Sequence, residues 1–232
     1  AKPASPNMPV ADLAASLTAL SAILMALLRR AATGEGDFID MAMYDACLAW
    51  TPNVTGPVFA EDDHPPVKDM RSFGGAAMYH VYETRDARHL VLGGSEVKFA
   101  KNLLEHLGRP DLIEDAKREP GPGQDRLRAF FRETFAAKTL DEWEAELAEI
   151  DVCWAPVRSL KDAFDDPHTA ERGLVFTDEA GHRHIGPAIR FKREPAAPNA
   201  NLPRFGEHSE TLAREAGLSD EQIKGMKDRG VI

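Results

Sequence analysis

Residues 13–28, LAASLTALSAILMALL, carry no charge, and Leu13, Leu17, Leu20, Leu24 and Leu27 recur at helical spacing. Three prolines in the opening AKPASPNMP keep that stretch out of regular structure. The helix is therefore expected to begin close to Asp12 and to stop at Thr33-Gly34. The uncharged run is shorter than the roughly 20 residues a membrane span requires, and Ser16, Thr18 and Ser21 dilute it. The pattern predicts a helix buried inside a globular protein, with no membrane as partner. A signal peptide is a poor reading too, with only Lys2 ahead of the run, Asp12 at its edge and Arg29-Arg30 where small residues would be needed. Next, GDFIDMAMYDACLAW reads as a short strand over 38–41 feeding a helix over 43–50, an α/β arrangement.

Residues 51–77 are rich in proline and glycine and read as a linker, with a mobile loop at Phe73-Gly74-Gly75. MYHVYET and HLVLGG, separated by RDAR, predict an antiparallel hairpin. Ser95 is placed to cap a helix over 96–107, whose Phe99, Leu103 and Leu107 repeat every four residues before Gly108 and Pro110 end it. Amphipathic helices follow over 124–136 and 140–150, the second opening on Thr139 and Glu142 in capping-box spacing. VCWAPV is a short strand, SLKDAFDDPHTAERG a helix and turn, and GLVFTD pairs with RHIGPAIRF across EAGH. EPAAPNANLPRFG is an extended crossing, and two short helices, over 207–216 and from 219, finish the chain. The elements divide into 1–50, a linker 51–77, a small α+β domain 78–150, and a return over 151–232.

With 232 residues, 43% hydrophobic and 28% charged, the chain can build a sizeable core. A net charge of −10 opposes the counterion-release binding on which nucleic-acid proteins rely, so no nucleic acid is expected. Cys47 and Cys153 lie far apart without ligand spacing, which fits a reducing, cytoplasmic setting and gives no zinc site. They read as small buried hydrophobes.

Four stretches, PVADLAASLTALSAILMALLRRAATGEGDFIDMAMYDA, GGAAMYHVYETRDARHLVLGGSEVKFAKNLLEHLGRPDL, VCWAPVRSLKDAFDDPHTAERG and FGEHSETLAREAGLS, together resemble the class III CoA-transferase, or CaiB/BaiF, family. That family includes formyl-CoA transferase, carnitine CoA-transferases and α-methylacyl-CoA racemase. The resemblance implies an α/β fold with a Rossmann-like large-domain portion and a smaller α+β domain, in an interlocked homodimer. It also implies CoA and acyl-CoA as substrates, a small carboxylic acid as the other reactant, and no metal. Family members are about twice this length, and most of the CoA-binding surface belongs to their amino-terminal half; the macromolecular partner expected here is a second copy in an interlocked homodimer or that amino-terminal half as a second chain.

Asp12 stands where the resemblance places the carboxylate that attacks the donor thioester; judged on position alone, it is a helix cap. Glu96 matches an acid that joins the catalytic network of the racemase branch, and on position alone is a first-turn acid facing the helix dipole. Gly74 and Gly75 match a glycine-rich loop that folds over the aspartate, though a plain linker turn fits GGAA equally. Arg71, with Lys68, is a candidate for phosphate or carboxylate, against a solvated linker charge. None of the eight histidines matches the family's racemase base, and all read as surface or loop residues. The resemblance implies a CoA-transferase working through covalent Asp12 intermediates. The alternatives are an acyl-CoA racemase using Asp12 and Glu96, and a non-catalytic subunit.

Overall fold

The computed structural model describes residues 8–64, 66–200 and 202–232. The chain forms two compact units, Ala1–Val157 and Arg158–Ile232. The first opens with α1 (Val10–Thr33), which ends at Gly34 in the left-handed region (φ 78°), its N–H donating to Arg30 O at 2.8 Å. Arg29 then holds Asp37 at 3.1 Å and turns the chain back toward α2 (Met43–Ala49). Ala14 and Ala15 of α1 pack on Ala46 of α2, with Met41 alongside. Side chains this small allow a close helix approach.

Two expectations fail here. The helix α1 buries only Ala14 and Ala15, while Leu17, Leu24 and Leu28 are 55%, 57% and 75% exposed. Its main helical neighbour, α2, has seven residues and cannot cover a stripe of 24. Among the described residues α1 is the one helix long and apolar enough to cross a membrane, a property it shares with core helices of soluble proteins. Residues 38–41 form no strand. A strand exists by pairing its backbone N–H and C=O groups with a neighbour, and no strand of the described residues pairs with this segment.

The proline-rich stretch read as a linker contains a helix, α3 (Pro52–Glu61). Pro52 at its start suits the first turn, where an N–H would have no partner. Two single 3-10 turns, Val67–Asp69 and Arg71–Phe73, lead to Gly74-Gly75. The hairpin then forms as expected, β1 (Tyr79–Glu83) pairing antiparallel with β2 (His89–Gly93) in the register Tyr82↔Leu90 and His80↔Leu92. On the far side of β2 lies β3 (Trp154–Pro156), an edge position where proline costs no ladder hydrogen bond.

Against this sheet pack α4 (Val97–His106), α5 (Ile113–Ala116), α6 (Asp125–Phe135) and α7 (Leu140–Leu147). Tyr82, Leu90 and Leu92 from the strands meet Leu103, Leu104, Leu127, Phe131, Phe135, Trp143 and Leu147 from the helices in one continuous core. Trp143 satisfies its indole N–H on Phe135 O at 2.9 Å, as a buried tryptophan must. The Thr139–Glu142 capping box forms in both directions. The residue before α4 is Glu96 rather than Ser95, and no side chain caps that helix.

The second unit contains α8 (Leu160–Asp165), α9 (Pro167–Glu171), the antiparallel pair β4 (Val175–Thr177) and β5 (Arg183–Ile185), and helices α10 (Ser209–Glu215) and α11 (Asp220–Asp228). Asp178 closes the β4–β5 turn by accepting from His184 Nε2 at 2.9 Å and pairing with His182 Nδ1 at 3.1 Å. These bonds hold its carboxyl well below the usual carboxylate range.

Candidate active site

Asp12 lies in the first turn of α1, whose cap position is Pro9 with no side-chain hydrogen bond. Asp12 is therefore not the cap that its position suggested. Its side chain is exposed, and no hydrogen bond or ion pair among the described residues engages it. The unpaired N–H groups at a helix start favour a carboxylate in its charged, nucleophilic form.

The other candidates gather around the turn before β1. Gly74 sits at φ 94° and ends the Arg71–Phe73 turn. An added Cβ there would lie 2.8 Å from His80 Nδ1. Gly75 is buried, and a Cβ on it would run into the backbone carbonyl of Asp69. Its N–H donates to Met70 O at 3.1 Å, while its carbonyl accepts from Gly121 N at 2.9 Å and from the Arg128 guanidinium. The Gly74-Gly75 segment is thus a turn fastened at both ends, and its glycines serve close backbone approach. Arg71 reaches across to Ser95 Oγ at 3.4 Å, with its guanidinium 5.8 Å from the Tyr79 ring. That contact joins the turn to the residue preceding Glu96. The Glu96 side chain itself is exposed, and no hydrogen bond or ion pair among the described residues joins it to Asp12.

Several residues that fix this turn were not singled out from sequence. Gln124 is buried, accepts from Ala77 N at 2.9 Å and donates to Arg118 O at 2.7 Å. Tyr82 donates its hydroxyl to Ala77 O at 2.7 Å, and its own ionisation is pushed up by burial. His80, read from sequence as a surface residue, is half-buried and packs edge-on to Tyr82 at 5.0 Å. Burial lowers its pKa, with further lowering from Arg132 and Arg128. With Ser72, Phe73, Gly74, Tyr79 and Val91, His80 lines a cavity of about 290 Å³. A glutamine or histidine between apolar residues signals such roles only once the fold supplies its partners.

The CoA-transferase family III model matches residues 1–209, and the chain belongs to that family. It is 28% identical to an acyl-CoA transferase of Fusarium pseudograminearum, over 99% of this chain and 52% of that protein. It is 29% identical to mouse α-methylacyl-CoA racemase, over 90% of this chain and 55% of that protein. Mouse succinyl-CoA:glutarate CoA-transferase is 26% identical over 99% of the chain and 54% of its own length. Among solved structures, a CaiB/BaiF family protein from Brucella suis superposes with a TM-score of 0.72 at 25% identity, covering 93% of this chain and 57% of that one. The chain thus spans about half the length of the curated relatives it matches, and those relatives include both transferases and racemases.

Proposed function

We propose that this chain contributes to an enzyme that moves CoA from an acyl-CoA thioester to a carboxylic acid, with Asp12 as the covalent carrier. The observation that carries this reading is the exposed Asp12 carboxylate, without a partner among the described residues, at the amino terminus of a 24-residue helix. In the first step an Asp12 oxygen attacks the donor thioester carbonyl and CoA leaves as thiolate, giving an acyl-aspartyl anhydride. The thiolate then attacks the Asp12 carbonyl, releasing the donor as its carboxylate and leaving an aspartyl-CoA thioester. The acceptor carboxylate repeats both steps in the opposite sense, which frees Asp12. One carboxylate oxygen exchanges in each half-reaction.

The remaining half of a family enzyme, as a second chain or as a further stretch of polypeptide, supplies most of the CoA site and completes the Rossmann-like domain in this proposal. Together with an interlocked second copy it covers the apolar side of α1 and offers a partner strand to residues 38–41. Two free cysteines, Cys47 and Cys153, suit a cytoplasmic setting.

A second reading, racemisation of an acyl-CoA α-carbon, is favoured by Glu96. Its exposed carboxylate stands where α4 begins, next to the Arg71–Ser95 contact. Racemisation needs groups on both faces of the α-carbon and leaves the thioester whole. Incubating the complete enzyme in deuterated water with a chiral acyl-CoA and no acceptor acid separates the two. The transferase reading expects no α-deuterium, and rapid incorporation that Glu96→Gln abolishes would replace it with the racemase.

A further inference from the structure

We propose that a cleft in the second unit binds a small organic dianion that carries an aromatic or apolar body. The cleft has a volume of about 630 Å³ and is lined by Arg172, Arg190 and Lys192 together with Phe176, Ile189 and Phe191. Small-molecule sites usually fall at roughly 300–1,000 Å³. No Asp or Glu lines it, and none of the three cations has an ion-pair partner among the described residues. Other arginines of the same unit are neutralised, Arg183 on Asp165 at 3.0 Å and Arg214 on Asp220 at 2.9 Å. In a chain of net charge −10, three unpaired cations at one cleft form a local positive field that an anion would relieve.

The walls are built rather than incidental. Gly186 donates its N–H to Leu174 O at 2.8 Å, and a Cβ on Gly186 would stand 2.6 Å from the Gly173 carbonyl oxygen. Only glycine lets these two backbone segments meet. Gly173 itself sits at φ 58°, and an Arg190 guanidinium nitrogen lies 3.6 Å from where its Cβ would be. The Phe176 ring stacks on His184 at 5.2 Å and 24°, and His184 is held in turn by Asp178. Pro187, Pro195 and Pro198 line the cleft from the same irregular segment, over 187–198, that carries Arg190, Phe191 and Lys192. The fixed φ angles of these prolines leave less freedom to lose on binding.

Two guanidinium forks match carboxylate or phosphate oxygens in pairs, and Lys192 adds a compact charge. Three cations call for at least two negative charges, and the phenylalanines for a ring or hydrocarbon body. A phosphate monoester and a dicarboxylate share this chemistry. The inference does not depend on Asp12 or on the reaction proposed above.

Calorimetry on the 232-residue chain with phenyl phosphate, phenylsuccinate, inorganic phosphate and succinate tests it. The two ring-bearing dianions are expected to bind more tightly than their ringless counterparts, and whichever is tighter identifies the source of the charge. Arg190→Gln should weaken them about tenfold, the effect of losing one charged hydrogen-bonding partner. Phe191→Ala should weaken the ring-bearing probes alone, and Arg229→Gln at the end of α11 should change nothing. Circular dichroism checks that each variant is folded, and Lys192→Gln replaces Arg190→Gln if that chain fails to fold. Absence of binding by all four probes, equal affinity with and without the ring, or equal weakening by Arg229→Gln would each overturn the proposal.

Discussion

Around β1–β3 the side chains of Leu90, Leu92, Leu103, Leu104, Leu127, Phe131 and Phe135 have no exposed surface at all. Along α1, in the same unit, Leu17, Leu24, Met25 and Leu28 stand half exposed or more. Both regions place apolar residues at helical spacing, but they differ in what the chain supplies to cover them. Helices α4–α7 close over the sheet, whereas α1 packs mainly on the short α2. A helix with apolar residues on most of its surface belongs in an interior, and exposed apolar patches of this kind mark surfaces made to be covered. The small α+β region is a finished piece, whereas α1 keeps most of its apolar side uncovered, the side that the proposed second half or second copy would cover.

The largest expected effect tests the finished piece. Trp143→Ala should lower stability by about 3–5 kcal/mol, read as a shift in the urea midpoint. Leu24→Ala in the chain alone should change it by no more than about 0.5 kcal/mol. The same Leu24→Ala in the complete enzyme should cost about 2 kcal/mol or more, because the cavity then forms in a covered site. A small effect there would break the comparison by showing that α1 stays exposed.

Gly75→Ala should cost about 1–3 kcal/mol, since its Cβ must displace the Asp69 carbonyl; an unchanged urea midpoint would mean that the turn is loose. Thr139→Ala, which removes the capping box of α7, should cost about 1 kcal/mol, visible as a lower melting temperature. The smallest effect concerns pH. The folded-state pKa of His80 lies below its ordinary value of 6.5, so between the two values the unfolded chain binds more protons. The contribution from His80 is complete above pH 6.5 and is lost as pH falls toward the folded value. His80→Gln should flatten the stability profile in that window, and an identical profile would remove His80 from the account.

What could be read from the sequence follows from how local each signal is. The β1–β2 hairpin, the Thr139–Glu142 box, the amphipathic α4 and α6, and the β4–β5 pair across residues 178–182 depend on neighbours in sequence, and each forms. Residues 38–41 and α1 depend on partners distant in sequence, and there the local pattern misled: a strand was expected without its neighbour, and burial without its cover. The helix α3 was hidden by Pro52, Gly56 and Pro57, which read as breakers although the first of them suits a helix start. At the candidate site, Asp12, Glu96, Gly74, Gly75 and Arg71 were nameable through family likeness. Gln124 and Arg128, which fasten the glycine turn from more than forty residues away, become visible only when the chain is folded.

The central claim is that Asp12 becomes covalently acylated, and the most direct measurement is chemical trapping. The complete enzyme is mixed with acyl-CoA in the presence of hydroxylamine, digested, and the peptide carrying Asp12 is examined by mass spectrometry. The account predicts a hydroxamate on Asp12 that depends on acyl-CoA and is absent from Asp12→Asn. An unmodified Asp12 peptide from enzyme that is turning over substrate would contradict it.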